Sequence, residues 1–359
     1  MSETDSNRRE NNIAAIRLMA ALMVIAGHMG ILIGGAPPLF LHHSIQGLGV
    51  AIFFTIGGYF ITSSWCNKPK VLDYTCKRFF RIVPPLAVCV IFTAFIAGPI
   101  LSSLTVKEYF SSPTTYRYLK NIGLYIQYFL PGVFEANPYP NAINGSLWSL
   151  PVEVFMYIMI PIFVEITSLR NNKKTSKIAF AAICILICAA RIFQGFFYPN
   201  FNYVVYATGV ADALNLIPYY MIGALYTFPE VKKWCNLQLA SLLLILYACF
   251  KPGFVAATIG IYIILPYFIF SLAFTAPPFF SNKLKITEFS YGIYLYSFFI
   301  QQTIVWLFKK LSITVGYNIY FIICTVVSLI FAYLSYKYIE KPTIAFSKKL
   351  LQKFEKAKP

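Results

Sequence analysis

The chain alternates between apolar runs of about 20 residues and short polar segments along its whole length. An apolar run of this length crosses a bilayer as an α-helix, whereas a strand of a membrane barrel needs only about 10 residues of alternating polarity. These runs do not alternate, so the pattern predicts an all-α membrane protein of about ten transmembrane helices. The predicted spans are 13–34, 46–66, 82–104, 147–167, 178–198, 207–227, 236–250, 253–275, 289–308 and 316–338.

Lysine and arginine are concentrated in alternate connections between these spans, beginning with the N-terminal segment. The cytoplasmic connections of membrane proteins carry such an excess, so we predict that both termini lie in the cytoplasm. The chain then divides into a polytopic membrane domain, residues 1–345, and a basic cytoplasmic tail, residues 346–359, that faces membrane lipid. The long connection from Thr105 to Ser146 lies outside and contains many aromatic residues. One interpretation is a segment that dips into the membrane interface or lines a cavity, and the other is an aromatic belt.

Composition excludes several other classes of protein. With 58% hydrophobic and 12% charged residues, the chain has too few polar side chains for an ordinary soluble domain. The net charge of +17 does not indicate nucleic acid as a partner, because the cations follow the membrane connections and form no single patch. The three histidines and eight cysteines show no spacing typical of a metal site or a disulfide framework, so no metal is expected.

Arg17 and His28 are notable because ionisable side chains are costly inside a bilayer. Both lie in the first span, and at about 100° per residue their separation places them on one helical face. Each also has a structural explanation, since an arginine can snorkel to the surface and a histidine can bond a neighbouring helix. Their shared face favours a single cavity that both side chains line.

Glu153 is a further buried ionisable group, in a segment that enters the membrane from outside behind the interfacial Trp148. Its predicted depth is comparable with that of His28. A histidine and a carboxylate at matching depth suit a general base and the group that orients it, as activation of a hydroxyl requires. A structural hydrogen bond between helices is the alternative.

Arg78 and Arg81 lie three residues apart immediately before the third span. On one helical face, two guanidinium groups fit a phosphate or pyrophosphate. The excess of cations on the cytoplasmic side would by itself place arginines here, so both explanations stay open.

Five segments together resemble the integral-membrane acyltransferase type 3 family, which includes O-antigen, capsule and peptidoglycan O-acetyltransferases. They are Arg17–His28, Gly49–Gly58, Arg78–Arg81, Leu147–Glu153 and Ser290–Leu295. Any one of these segments would be a weak signal, but their order and their positions on the spans are specific. The resemblance covers nearly the whole chain.

The resemblance implies a multi-pass protein of the bacterial plasma membrane. Its expected reaction moves an acyl group, in the first instance acetyl, from cytoplasmic acetyl-CoA or another acyl-CoA to a hydroxyl of a cell-surface or lipid-linked glycan. A homo-oligomer, and a partner protein that completes the transfer, are left open. The candidate site residues are His28, Glu153 and Arg17 for catalysis, Arg78, Arg81 and Arg17 for the donor, and Trp148, Ser297 and Asn144 for the substrate.

Two positions depart from the family pattern. Ser297 follows Tyr296 where many members have a histidine, and Gly57 replaces the usual serine of the second span. Both positions bear on the choice of acceptor or acyl group, and Ser297 cannot titrate as a histidine would.

A proton-coupled secondary transporter is the alternative function, in which Arg17, His28 and Glu153 would form a proton relay. The paired arginines and the absence of repeat symmetry in the sequence argue against it. Other polar residues inside later spans are weaker candidates for substrate contact, and we expect them to pair across helices. They are Arg191, Gln194, Asp212, Asn215, Gln301 and Gln302.

Overall fold

The computed structural model describes residues 12–201, 203–250, 252–277 and 289–356, and most of these residues are helical. The α-helices are α1 (Ile13–Leu32), α2 (Ile45–Asn67), α3 (Val71–Phe92), α4 (Gly98–Leu101), α5 (Val106–Ser111), α6 (Pro113–Arg117), α7 (Leu150–Ile166), α8 (Lys174–Phe197), α9 (Val210–Leu225), α10 (Pro229–Lys232), α11 (Leu237–Cys249), α12 (Phe254–Thr275), α13 (Ser290–Lys310), α14 (Tyr317–Ser335) and α15 (Lys341–Lys356).

Shorter elements join these helices. They are the 3₁₀-helices Tyr118–Gly123, Gly145–Ser149 and Leu169–Asn171 and the π-helices Thr93–Ala97 and Tyr336–Glu340. Two antiparallel hairpins pair β1 (Leu39–Phe40) with β2 (His43–Ser44), and β3 (Val204–Val205) with β4 (Thr208–Gly209).

Seven helical stretches of the described residues are long and apolar enough to cross a membrane. They are Ile13–Leu32, Ile45–Asn67, Val71–Leu101, Gly145–Ile166, Lys174–Phe197, Phe254–Thr275 and Tyr317–Glu355. This confirms a helical, multi-pass membrane protein. The other three predicted spans also form helices, but α9 and α11 have only 16 and 13 residues, and the tyrosines and paired glutamines of α13 make it less apolar. The number of ten spans stays a prediction.

Helix α3 begins well before the span predicted at residue 82. The hydrophobic pattern excluded the cationic stretch Lys77–Arg81, but no glycine or proline interrupts the helix there, and Asp73 in the first turn complements the helix dipole. Arg78 and Arg81 therefore lie on the helix itself.

Within the ranges that the structure describes, the chain forms two compact units. Unit 1 consists of residues 1–23, 39–69 and 151–287, and unit 2 of residues 24–38, 70–150 and 288–359. Helix α1 contributes its first half to unit 1 and its second half to unit 2.

In unit 1, α2 and α9 pack against each other through glycines. A Cβ atom on Gly58 would lie 1.8 Å from the carbonyl oxygen of Tyr220, and one on Gly223 would lie 1.9 Å from that of Thr55. No side chain fits at either position, so the two backbones are in direct contact. Small residues allow such close approach between membrane helices.

In unit 2, α13 is the central helix. It packs along α14, and the hydroxyl of Tyr291 at its start donates to the carbonyl oxygen of Ile82 on α3. Midway along the helix, Gln301 Nε2 donates to the carbonyl oxygen of Ile25 on α1 at 2.8 Å. Polar side chains of α13 thus bond the backbone of neighbouring segments within this unit.

Helix α15 runs without a break across the predicted domain boundary between residues 345 and 346. Thr343 Oγ1 donates to the carbonyl oxygen of Phe80 at 3.2 Å, and the rings of Phe80 and Phe346 lie 5.5 Å apart. The first part of the predicted tail is thus attached to α3 in unit 2. Residues 1–11 and 357–359 lie outside the described residues, and both the domain division and the cytoplasmic termini stay predictions.

The orientation can be tested by labelling introduced cysteines with a membrane-impermeant thiol reagent in intact cells. We expect Ala136→Cys, on the long connection, to be labelled from outside, and Asn171→Cys to be labelled only after permeabilisation, because both residues are exposed. All eight native cysteines are free and Cys249 is exposed, so the parent for both variants is Cys249→Ser. Reversed labelling would show that the orientation is wrong.

Candidate functional site

His28 lies in the second half of α1, within unit 2, and its imidazole is half-buried. Its Nδ1 atom is enclosed and has no hydrogen-bond partner among the described residues. The ring packs against Phe298 of α13 with centroids 5.1 Å apart and planes at 77°. Because an enclosed polar nitrogen without a partner costs free energy, it marks a candidate functional group.

Phe298 is held in place by the turn that follows the long connection. A Cβ atom on Gly145 would lie 2.7 Å from Cε2 and Cζ of Phe298, so only glycine leaves room for this ring. The ring of Tyr139 contacts Phe298 as well, with centroids 6.4 Å apart. The orientation of the aromatic side chain beside His28 therefore depends on Gly145.

Asn144 joins the same turn to α13. Its Nδ2 donates to the carbonyl oxygen of Leu295 at 2.7 Å, and its Oδ1 accepts from the backbone N–H of Ser146 at 3.3 Å. Both ends of this buried amide are thus bonded within unit 2. The structure gives Asn144 a structural role, and its role in binding substrate stays a prediction.

Two buried hydroxyls belong to these segments. The Oγ atoms of Ser297 and Ser146 are enclosed and have no partner within the described ranges. The hydroxyl of Tyr294 donates to the carbonyl oxygen of Ser146 and lies 2.9 Å from Ser149 Oγ, which ties the turn to the first part of α13. Trp148, on the same turn, is half-buried.

Arg78 and Arg81 lie on α3 in unit 2 and differ in their surroundings. Arg78 is half-buried, its Nη1 donates to the carbonyl oxygen of Tyr74 at 3.0 Å, and its guanidinium carbon lies 3.5 Å from the centre of the Tyr74 ring. This cation–π contact fixes the guanidinium plane. Arg81 is exposed.

Arg17 and Glu153 belong to unit 1. Both are half-buried, and the Glu153 carboxylate accepts a hydrogen bond from the hydroxyl of Tyr157 one turn along α7. A tyrosine therefore bonds this carboxylate, and the proposed coupling of Glu153 to His28 stays a prediction. The remaining predicted site residues all belong to unit 2, namely His28, Arg78, Arg81, Asn144, Trp148 and Ser297.

A family model described as an acyltransferase domain matches residues 10–337. The chain belongs to the acyltransferase type 3 family.

Two curated members are similar to the chain over most of its length. It is 28% identical over 345 residues to the O-acetyl transferase of Shigella phage Sf6, with 93% of this chain and 96% of the relative covered. It is 26% identical over 327 residues to Nodulation protein 10 of Rhizobium leguminosarum bv. viciae, with 85% and 86% covered. No solved structure matches the chain.

The protein is therefore a multi-pass membrane acyltransferase. Its two departures from the family pattern lie in different units. A Cβ atom on Gly57 would lie 3.0 Å from the Tyr220 ring in unit 1, whereas Ser297 is in the core of unit 2. Within the described ranges, no group of three His, Cys, Asp or Glu side chains is placed to hold a metal ion.

Four of the weaker candidates pair with neighbouring segments, as predicted, namely Arg191, Asn215, Gln301 and Gln302, whereas Gln194 bonds only within α8 and to Tyr198 at its end. In unit 1, Arg191 Nε donates to Asn215 Oδ1 at 3.4 Å across α8 and α9, and its Nη1 donates to Gln194 Oε1 at 3.1 Å. In unit 2, Gln302 Nε2 donates to the carbonyl oxygens of Tyr139 and Ala142 at 2.8 and 2.9 Å. Asp212 is exposed.

Phe298, Gly145 and Tyr74 contact or support the candidate site residues of the acyltransferase and were not predicted from the sequence. A signal existed for Tyr74, because it precedes Arg78 by four residues and side chains at this spacing meet on a helix. No local pattern indicates that Phe298 contacts His28, since the two residues are far apart in the chain. Gly145 could be recognised only once the position of the Phe298 ring was known.

Proposed function

We propose that this acyltransferase moves an acetyl group from acetyl-CoA, or another acyl-CoA, to a hydroxyl of a cell-surface or lipid-linked glycan. The observation that carries the proposal is the enclosed, unpartnered Nδ1 of His28 in a member of an acyltransferase family. The similarity to a phage O-acetyl transferase supports an oxygen acceptor and an acetyl group. Family membership also favours acyl transfer over the alternative of a proton-coupled transporter.

His28 acts as the general base in this proposal. It takes the proton of the acceptor hydroxyl while the oxygen attacks the thioester carbonyl carbon, so that a C–O bond forms and the C–S bond breaks. The CoA thiolate leaves and receives the proton from the imidazolium. A positioned base contributes about 10²–10⁴-fold to such a rate. The T-shaped contact with Phe298 restricts rotation of the imidazole and holds it ready for this step.

The proposed roles of the other groups follow from their charge. Arg78, fixed against Tyr74, and the exposed Arg81 bind the phosphates of CoA from the cytoplasmic side. Arg17 contributes to donor handling, and Glu153 orients or shares the proton of His28. Trp148, Asn144 and Ser297 form the acceptor side, where the Ser297 hydroxyl can donate or accept but carries no charge.

The proposed setting is the plasma membrane of a bacterium, with ten spans and both termini in the cytoplasm. This orientation gives the arginines of α3 access to cytoplasmic acyl-CoA. A glycan hydroxyl then reaches His28 from the other side or within the membrane.

The proposal is tested by mass spectrometry of surface glycans from cells with and without the gene. We expect loss of one acyl group per modified sugar in the deletion strain, with the mass difference distinguishing acetyl from succinyl. Purified protein given acetyl-CoA and de-acylated glycan should restore the group. Identical glycan masses in the two strains, together with no transfer by the purified protein, would refute the proposal.

A further inference from the structure

An open cleft of about 490 Å³ lies on the long connection of unit 2. It is lined by Ser111, Pro113, Tyr116, Arg117 and Lys120, which come from α5, α6 and the following 3₁₀-helix. It is shallow and widely open to solvent, its volume lies in the range of small-molecule sites, and its lining combines one aromatic side chain with two cations. None of these residues belongs to the acyl-transfer site described above.

The backbone under the cleft is fixed by buried hydrogen bonds. The Tyr109 hydroxyl donates to the carbonyl oxygen of Ala94 at 2.8 Å, and Thr115 Oγ1 donates to the carbonyl oxygen of Tyr109 at 2.6 Å. Beyond the cleft, Asn121 Oδ1 accepts from the backbone N–H of Gln127 at 2.9 Å. The cleft is therefore preorganised, which lowers the entropy lost when a ligand binds.

The cleft carries two positive charges that the surrounding chain does not neutralise. Among the described residues, no carboxylate forms an ion pair with Arg117 or Lys120. The two acids of this connection are bonded elsewhere, Glu108 to Thr105 at 2.7 Å and Glu135 to Ser103 at 3.3 Å. The side-chain and backbone hydrogen bonds from Thr105 lower the pKa of Glu108 from its usual value.

Tyr116 forms the wall beside these cations. The residue is 51% exposed, and its hydroxyl donates to the carbonyl oxygen of Phe110 at 3.0 Å, which fixes the ring. A fixed, exposed aromatic face can stack on the apolar face of a sugar ring, while a guanidinium and an ammonium bind a carboxylate or phosphate.

We infer that this cleft binds an anionic saccharide, with the acidic group on Arg117 and Lys120 and the sugar ring against Tyr116. The inference rests on the proposed function in taking this saccharide to be the acceptor glycan, and it adds that the acceptor carries negative charge. A lipid headgroup shares the phosphate chemistry, but it needs neither the aromatic wall nor a cleft of this volume.

The test uses the full-length protein in nanodiscs of phosphatidylcholine, with trigalacturonate as the acidic probe and maltotriose as the neutral one. We expect trigalacturonate to bind more tightly than maltotriose, and the Arg117→Gln/Lys120→Gln double variant to weaken it about tenfold or more. Lys107→Gln is the matched control, because Lys107 is an exposed lysine of α5 outside the cleft, and it should leave binding unchanged. Thermal unfolding verifies that the variants are folded.

Three results would overturn the inference. These are equal affinity for the two probes or no binding of either, unchanged binding in the double variant, and an equal loss in Lys107→Gln. A further comparison uses discs that contain phosphatidylglycerol. If the wild-type protein retains this lipid and the double variant does not, and if trigalacturonate no longer binds to the wild-type protein in these discs, the cleft is a lipid site and the inference is wrong. Acetyl-CoA binding is measured in parallel, so a protein that binds trigalacturonate through the cleft but not acetyl-CoA would refute only the proposed function.

Discussion

Replacing His28 with glutamine or asparagine should lower acyl transfer by about 10²–10⁴-fold, the usual contribution of a general base. The two variants place an amide near Nε2 and near Nδ1 respectively, so each preserves a polar group at one ring position without a basic nitrogen. If either nitrogen served only as a structural donor or acceptor, one of the two amides should restore activity. The measurement is transfer of labelled acetyl from acetyl-CoA to extracted glycan by purified protein.

The control for His28 is His42→Gln, which removes an exposed histidine whose Nε2 donates to the carbonyl oxygen of Tyr247 at 3.2 Å. This variant should transfer acetyl groups at the wild-type rate. Thermal unfolding of the His28 variants in detergent should lie close to wild type, because Phe298 and its supporting turn remain in place. Near-normal turnover of both His28 variants would show that the proposed mechanism is wrong, and inactivity explained by unfolding would assign His28 a structural role.

The Arg78→Gln/Arg81→Gln double variant should bind acetyl-CoA at least about tenfold more weakly, because a hydrogen bond to a charged group contributes about 1.5–3 kcal/mol. Of the single variants, Arg78→Gln should have the larger effect, since Tyr74 already holds this guanidinium in one orientation and less entropy is lost when it binds a phosphate. Isothermal titration calorimetry at two salt concentrations measures both losses.

Lys77→Gln is the matched control for these arginines, because Lys77 is an exposed cation on the same helix. It removes the same charge, so a purely electrostatic attraction of CoA would weaken equally in all three single variants and decline with salt. Equal losses would remove Arg78 and Arg81 from the donor site, as would unchanged affinity in the double variant.

The helical regions of this protein could be predicted from sequence because long apolar runs allow few alternatives in a bilayer. The start of α3 could not be predicted, since the apolar run begins only after Lys77–Arg81 while the helical backbone already includes these residues. Helix α13 is less apolar because its polar side chains form long-range hydrogen bonds, which the local hydrophobicity of the sequence does not reveal. Gln301 and Gln302 bond the backbone of other segments, so their polarity is used inside unit 2.

For the candidate site, the sequence allows single residues of chemical interest to be recognised, but not their contacts. A histidine in an apolar run and two arginines one turn apart are visible in the sequence. The contact of His28 with Phe298, and the dependence of Phe298 on Gly145, are long-range packing relations that only coordinates reveal. The bond from Tyr157 to Glu153 is local and could have been found from its spacing of four residues.

The contact between α2 and α9 restricts how the chain can change in length. One residue inserted into α9 before Gly223 would turn the helix by about 100° and bring Ile222 to the contact, and one residue deleted there would bring Ala224. Either residue has a Cβ atom, and a Cβ atom at this position would lie only 1.9 Å from the carbonyl oxygen of Thr55. Insertions and deletions that precede Gly223 are therefore tolerated in the connection before α9 and not within the helix itself.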